Sequence, residues 1–362
     1  MSTRLILVGG FLGAGKTTLL QRAARVLTDQ GLKVGLITND QAPNLVDTTL
    51  LTRSGLQVRE VNGSCFCCNF QGLLSAVTTL QKSAQADIIL AEPVGSCTDL
   101  AATIIHPLKA QQQDNLLISP LSVLTDPVKL ADILAGGHAG LHESAAYIYR
   151  KQLEEADLIV ISKTDLLSAD QLKQLQQQLA EQYPAATLFP LSSDRGTGVQ
   201  SWLDAVTSRV DAGQTLAEID YDIYAEGEAV LGWLNASFTL SGPGNWRSLS
   251  ETIIAALQQR FSEQQLAIGH VKLITRSGEQ ALVANFTGSE PTPRIRGQVE
   301  NSASAVLTLN ARVQTSPGQL SRIVREVLTP LTTEVETAAE SWDCFSPGRP
   351  QPTYRFCEPL AQ

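Results

Sequence analysis

The stretch that decides the fold is residues 4–18, RLILVGGFLGAGKTT. Residues 4–9 form an apolar run of strand length, and the run gives way at once to Gly10-x4-Gly15-Lys16-Thr17. The following TTLLQRAARVLTDQG carries apolar residues at helical spacing. Strand, glycine-rich loop and helix together are the context in which this pattern binds phosphate. Gly10, Gly13, Ala14 and Gly15 let backbone N–H groups curl round phosphate oxygens, and the helix points its positive N-terminus at them. Lys16 then reaches the β- and γ-phosphates, the Thr17 hydroxyl binds Mg²⁺, and Thr18 continues the nucleotide site.

Outward from this loop, strand-length apolar runs recur at 33–38, 86–92, 115–124, 156–162 and 186–193, separated by amphipathic stretches such as SADQLKQLQQQLAEQY, which opens on a Ser168 N-cap. Alternating strand and helix predicts a mostly parallel sheet covered on both faces. After Trp202 and a helix ending near Arg209, DAGQTLAEIDYDIYAEGEA loses apolar periodicity and gains acids, which reads as a linker. Strands joined by short turns and two helices follow. The predicted fold is therefore α/β: a P-loop NTPase domain over 1–212, a linker over 213–227, a smaller α+β C-terminal domain over 228–340, and a proline-rich extended tail over 341–362. Trp233 and Trp246 read as core or edge aromatics.

Hydrophobic residues make up 43% of the 362 and charged residues 17%, which fits a globular protein. The net charge of −9, with no long Lys/Arg run, argues against nucleic acid or anionic membrane as partner. No run approaches the about 20 apolar residues of a membrane span. Six cysteines in a chain of this length do not make a disulfide scaffold, so reduced thiols and a cytoplasmic location are expected.

The base is read further along. Ser162-Lys163-Thr164-Asp165 ends an apolar strand and resembles the NKxD guanine-recognition element of GTPases, with serine in place of the usual asparagine. Asp165 would take the guanine N–H groups, Lys163 would lie over the ring, and PLSSDRGTGV resembles the loop whose serine, here Ser192, helps hold the base. In this order after a P-loop these segments favour GTP over ATP. In DIILAEPVG, Glu92 stands where a Walker B carboxylate belongs, to hold Mg²⁺ or orient the attacking water, and Gly95 would bring a backbone N–H near the γ-phosphate.

EVNGSCFCCNF places Cys65, Cys67 and Cys68 within four positions, with Gly63, Ser64 and Asn69 around them suiting a turn. Close-set reduced thiols point to metal binding or redox work. The order of P-loop, TND, GSCFCC, EPVG and SKTD resembles the CobW-type GTPases, the cobalamin-synthesis-protein-like family related to urease and hydrogenase maturation GTPases. The resemblance extends over nearly the whole chain, since that family also carries a smaller C-terminal α/β domain. It implies that the C-x-C-C motif is a grip for a transition metal, Zn²⁺ or Co²⁺, coupled to the GTP state. Soft thiolates suit either ion, and three of them leave a tetrahedral ion one position short. Cys97 could supply a fourth thiolate or be a small buried hydrophobe, the reading given also to Cys344 and Cys357.

Asp40 and Asp47 fall in the implied first switch, Asp40 as a second candidate for Mg²⁺. His138 and His142 are four apart, although Gly136, Gly137 and Gly140 argue for a loop. Arg349 and Arg355, set among prolines, suit either a partner-docking strip or a cap over the first domain. No arginine finger or catalytic glutamine can be picked out, so slow intrinsic turnover, accelerated by metal or client, is expected. The implied client is a metalloenzyme or corrinoid protein, and a nucleotide- or metal-dependent homodimer is open. Two alternatives stand beside this reading: a small-molecule P-loop kinase with structural thiols, and a non-enzymatic metal-responsive interaction protein.

Overall fold

The apolar runs become the strands of a parallel sheet in a computed structural model that describes residues 2–40, 57–62, 64–111, 115–242, 244–288, 292–331 and 335–360. Its strands are β1 (Thr3–Gly10), β2 (Val34–Asp40), β3 (Gln57–Asn62), β4 (Ile88–Glu92), β5 (Leu116–Ile118), β6 (Ser122–Thr125), β7 (Leu158–Ile161) and β8 (Thr187–Pro190). They run in the order β3-β2-β4-β1-β6-β7-β8, with β5 also beside β1. Leu5 and Leu7 enter one core with Phe70 and Ile148, while Ile6 and Val8 enter another with Leu20 and Trp202. Burial on both faces is why β1 is written as an unbroken apolar run. The helices are α1 (Lys16–Asp29), α2 (Phe70–Lys82), α3 (His106–Ala110), α4 (Pro127–Leu134), α5 (Glu143–Glu154), α6 (Ala169–Gln182), α7 (Val199–Ser208) and α8 (Tyr221–Ala229). Ser168 caps α6 in a reciprocal pair with Gln171, as its sequence predicts.

A second sheet is antiparallel. It comprises β9 (Gly232–Ser241), β10 (Ile268–Ser277), β11 (Gln280–Phe286), β12 (Arg294–Gln298), β13 (Ser304–Val313) and β14 (Glu336–Phe345), ordered β12-β11-β10-β13-β9-β14. Helices α9 (Trp246–Glu263) and α10 (Pro317–Leu331) cover one face, where Leu234, Leu273, Leu282 and Leu309 join Leu257, Phe261 and Ile323 in a single core. Trp246 belongs to that core, and Trp233 is buried where the two sheets meet.

Several elements depart from the sequence reading. The run at 115–124 is two strands, because Ser119-Pro120-Leu121 interrupts it and proline has no N–H to donate to a ladder. Both halves nevertheless pair with β1. Strand β3, QVREVN, escaped notice because it lies at the sheet edge, where charge is tolerated. Strands β12 and β14, likewise edges, are polar for the same reason, and β14 runs past residue 340 to Phe345. The expected linker over 213–227 contains most of α8, capped by Asp220, whose side chain accepts from Asp222 and Ile223 N–H. Its periodicity was hidden because the inward face of α8 is built from Tyr221, Tyr224 and Glu228, not from aliphatic residues. Among the described residues no helix is long and apolar enough to cross a membrane.

Candidate functional site

The P-loop leaves the C-terminal end of β1 at the centre of the parallel sheet, where connections on either side diverge. Gly10, Gly13 and Gly15 all have positive φ. At Gly13 (φ +80) a Cβ would sit 2.4 Å from Thr287 Cγ2, so the loop's tip presses directly on the second sheet. Lys16, 6% exposed, donates to the Gly10 carbonyl at 2.8 Å and lies 4.0 Å from Glu92 Oε1. The Thr17 hydroxyl donates to the same Glu92 oxygen at 3.2 Å. Gly13, Gly15, Lys16, Thr17, Thr18, Glu92, Gly95 and Lys163 line one cleft.

The segments expected to read the base sit beside it. Lys163, in the left-handed region (φ 52), pairs with Asp126 Oδ2 at 2.8 Å. The Ser192 hydroxyl donates to Asp165 Oδ1 at 2.5 Å. Burial pushes the Asp165 carboxyl up, but that hydrogen bond and the nearby Arg195 and Arg294 outweigh it and hold the group below its usual range. Ser162 is buried, with its hydroxyl 2.7 Å from the Ala14 carbonyl and 3.0 Å from that of Thr125. The serine in the asparagine position is thus spent on holding the P-loop backbone. Asp40 ends β2, but its side chain, Asp47 and Gly63 lie outside the described residues.

Asn39, which the sequence reading passed over, lines the cleft and also clamps the cysteine loop. Its amide nitrogen donates to the carbonyls of Val61 and Ser64, both at 2.8 Å, and its oxygen accepts from Phe66 N–H at 2.8 Å. The loop then turns tightly, with Cys68 and Asn69 N–H both donating to the Cys65 carbonyl, and Asn69 caps α2. Cys65 and Cys67 sulfurs lie 2.9 Å apart and Cys67 and Cys68 sulfurs 3.8 Å apart. These three thiols are the one group of metal-ligating side chains found among the described residues. Hydrogen bonds from Cys67, then Cys68 and Cys97, pull the Cys65 thiol far below its usual range. Its sulfur and burial push Cys67 and Cys97 well up, and Cys68 up to about 11. Within the cluster the Cys65 thiol is thus the one whose ionisation its neighbours favour.

Cys97 reaches this cluster from the segment after β4, which is pinned along its length from behind. Gln152 of α5 donates to the carbonyls of Gly95 (3.1 Å) and Cys97 (2.7 Å). The Ser96 hydroxyl donates to Glu228 at 2.5 Å, and Thr98 N–H to the Tyr224 hydroxyl at 3.2 Å. Thr98 Oγ1 and Ala101 N–H donate to the fully buried Glu155. Desolvation pushes Glu155 up to about 8 and Glu228 likewise. At its other end the segment meets the P-loop, since a Cβ on Gly95 would lie 3.0 Å from Lys16 Nζ. A single residue, Ser96, separates the contact with Lys16 from the contact with the thiols.

The tail after β14 is a cap over the first sheet's domain. Gln351 N–H donates to Cys68 Sγ at 3.2 Å, and Thr353 N–H to the Cys67 carbonyl at 2.9 Å. Tyr354 packs edge-on against Phe70 at 5.3 Å. Arg355 pairs with the buried Asp99 at 2.7 Å, Arg349 pairs with Asp222, and Leu360 N–H donates to His106 Nδ1 at 3.1 Å. Cys357, expected to be a buried hydrophobe, is exposed on this tail, and Cys344 is half-buried with its thiol on the Pro317 carbonyl. His142 caps α5, its Nδ1 2.7 Å from Ser144 Oγ, and His138 lies in the preceding turn, so the two do not share a helix face.

A P-loop at the centre of a doubly covered parallel sheet, with a cluster of three thiols beside it, defines the class: a P-loop nucleotide-binding protein of α/β fold. Residues 4–190 match the model of the CobW/HypB/UreG nucleotide-binding domain, and the chain belongs to that family. Curated relatives include zinc chaperone YeiR of Escherichia coli, 30% identical over 178 residues (48% of this chain, 50% of the relative). Zinc chaperone YjiA of the same organism is 28% identical over 195 residues (51% and 56%), and zinc-regulated GTPase metalloprotein activator 1 of Dictyostelium discoideum 24% over 211 (50% and 44%). The matches thus span about half the length of each relative.

Two outcomes follow from this geometry. Because Glu155 is neutral in the fold below about pH 8 but ionises near 4.5 when unfolded, its contribution to stability is full at acid pH and is lost as pH rises from 4.5 to about 8. Replacing Glu155→Gln is expected to remove a slope of up to about 1.4 kcal/mol per pH unit from thermal or urea unfolding across that window. An unchanged slope would contradict a buried neutral carboxyl. Second, in a Cys357→Ser background, truncation after Phe345 is expected to speed alkylation of Cys68 severalfold, read by peptide mass spectrometry. An unaltered rate would show that the tail does not shield the thiol.

Proposed function

We propose that the chain is a GTP-hydrolysing metallochaperone or metallocofactor-insertion factor whose cargo is a transition metal held by Cys65, Cys67 and Cys68. One observation carries this reading: the three sulfurs converge beside a segment that, two residues earlier, touches the P-loop lysine. A tetrahedral ion with metal–sulfur bonds of about 2.3 Å sets its sulfurs about 3.8 Å apart. The Cys67–Cys68 separation already equals that, and the Cys65–Cys67 separation would have to widen by about an ångström, within reach of side-chain torsion. Thiolate donors suit Zn²⁺ or Co²⁺, and the zinc chaperones among the relatives favour zinc. Cys97, buried against Cys65, would be the fourth donor or the group that keeps the cluster's charge low.

On the nucleotide side, Lys16 would leave the Gly10 carbonyl for the β- and γ-phosphates. Lys163 and Asp165, the latter oriented by Ser192, would read guanine. The Thr17 hydroxyl and Glu92 carboxylate meet as hard oxygen donors at the cleft, a set that suits Mg²⁺, with Asp40 a further candidate. When bound, that ion neutralises charge on the outer phosphates. Glu92 would also orient the attacking water. Closure of Gly95 on a γ-phosphate would move the segment that ends at Cys97, and so the thiols, making metal affinity depend on the nucleotide. The recipient would be a metalloenzyme or corrinoid protein in the cytoplasm, and a metal- or nucleotide-dependent homodimer would bring two grips together.

The test is competition against a calibrated zinc chelator, with proton release recorded in weakly buffered solution. One Zn²⁺ is expected to bind with release of protons from the thiols, and changing Cys65, Cys67 and Cys68 to serine to weaken binding by more than about 100-fold. Tight binding that survives the triple change, or phosphate release from GTP that survives Lys16→Ala, would defeat the reading.

A further inference from the structure

The second sheet shows its apolar face to α9 and α10, and its other face is polar and overlies the P-loop. Cross-strand register places Arg294 opposite Asn285, Asn285 opposite Lys272, Lys272 opposite Asn310, and Asn310 opposite Asn235. The neighbouring row sets His270 opposite Arg312 and Arg312 opposite Trp233. These residues, Asn235 excepted, line the same cleft of about 180 Å³ as Lys16, Thr17 and Gly95. Among the described residues, Lys16, Lys163, Lys272, Arg294, Arg296 and Arg312 border that cleft together with Glu92. Asp126 and Asp194 approach from outside it to pair with Lys163 and with Arg294 and Arg296. Basic side chains gathered from both sheets round a P-loop, on a chain of net charge −9, suit a polyanion.

The two walls touch. A Cβ on Gly13 would strike Thr287, and one on Gly269 would lie 3.1 Å from Leu12 Cδ1, so the start of β10 rests on the loop that cradles phosphate. Arg312 is committed elsewhere: it donates to the Leu234 carbonyl at 3.0 Å and to Asn235 Oδ1 at 2.9 Å, and it stacks on Trp233. Arg294 and Arg296 hold Asp194 of the loop that follows β8. Lys272 stands at the middle of the row, between two asparagines and across the cleft from Lys16. The imidazole of His270 lies in the field of both lysines.

We propose that this face is the second wall of the polyphosphate site, and that Lys272 contacts the terminal phosphate of a nucleoside triphosphate held on the P-loop. The inference rests on the reading of the cleft as a nucleotide site and adds the group that distinguishes triphosphate from diphosphate. A compact ammonium between two amide side chains, across the cleft from the P-loop, would meet the phosphate that only the triphosphate carries, and would act from the same chain that supplies the P-loop. The second sheet would thereby close when triphosphate is bound and relax after hydrolysis.

The measurement is the affinity of fluorescent GDP and of a fluorescent non-hydrolysable GTP analogue, each with Mg²⁺, for the full chain and for Lys272→Ala, Lys272→Arg and Arg276→Ala. Arg276 shares the strand and face of Lys272 but lies outside the cleft. Lys272→Ala is expected to lose tenfold or more in analogue affinity while GDP affinity, which also reports that the variant is folded, changes less than threefold. Lys272→Arg should recover part of the loss, and Arg276→Ala should change neither. Equal effects on GDP and the analogue, or no effect on either, would overturn the proposal while leaving the nucleotide site intact. A wild-type chain that binds neither nucleotide would remove both readings.

Discussion

The segment that follows β4 constrains everything around it. From Gly95 to Ala101 nearly every polar group is fixed by a partner behind it: Gln152 on two carbonyls, Glu228 on Ser96, Tyr224 and Glu155 on Thr98, Glu155 on Ala101. Each bond is worth on the order of 1 kcal/mol when made and more when a buried partner is stranded. A segment held this way behaves as a rigid lever and not as a loop. Its start meets Lys16, and two positions on Cys97 meets Cys65, so a short stretch of fixed backbone lies between the phosphate loop and the sulfurs.

That arrangement explains why residues distant in sequence crowd round a few positions. Helix α8 lies outside the parallel sheet, yet its Tyr224 and Glu228 are buried against the lever, and its Tyr221 hydroxyl donates to Asp99 at 2.7 Å. The tail returns to the same place, where Arg355 takes the same Asp99 oxygen and Gln351 meets Cys68. Asn39 completes the ring from the other side by tying β2 to the cysteine loop. The nucleotide cleft and the thiol cluster are therefore covered by different parts of the C-terminal half: the first by the polar face of the second sheet, the second by the tail.

Much of this was legible in the residues. The P-loop and the doubly covered strands follow from patterns with one physical reading, because burial on both faces and φ above zero admit few residue types, and the C-x-C-C spacing alone brings three thiols together. What was not legible has equally specific causes. Helix α8 hides its packing face in Tyr221, Tyr224 and Glu228, and a carboxylate reads as solvent-facing unless its partner Ser96 is known. The polar face of the second sheet was written in the alternation of His270 and Lys272 with Val271 and Leu273, and of Asn310 and Arg312 with Leu309 and Ala311. Alternation announces a half-buried strand but not what its polar face overlies. The tail's prolines told of an extended chain, and only three-dimensional contact shows where it lies.

The central claim is that nucleotide state and metal affinity are coupled through the Gly95–Cys97 lever, and chelator competition for Zn²⁺ in the presence of Mg²⁺ with either GDP or a non-hydrolysable GTP analogue tests it most directly. The account predicts affinities that differ by tenfold or more, about 1.4 kcal/mol of coupling, and a difference that shrinks when Gln152→Ala frees the lever from α5. Equal zinc affinity in the two nucleotide states would contradict it and leave the thiols and the P-loop as neighbours without a mechanical connection.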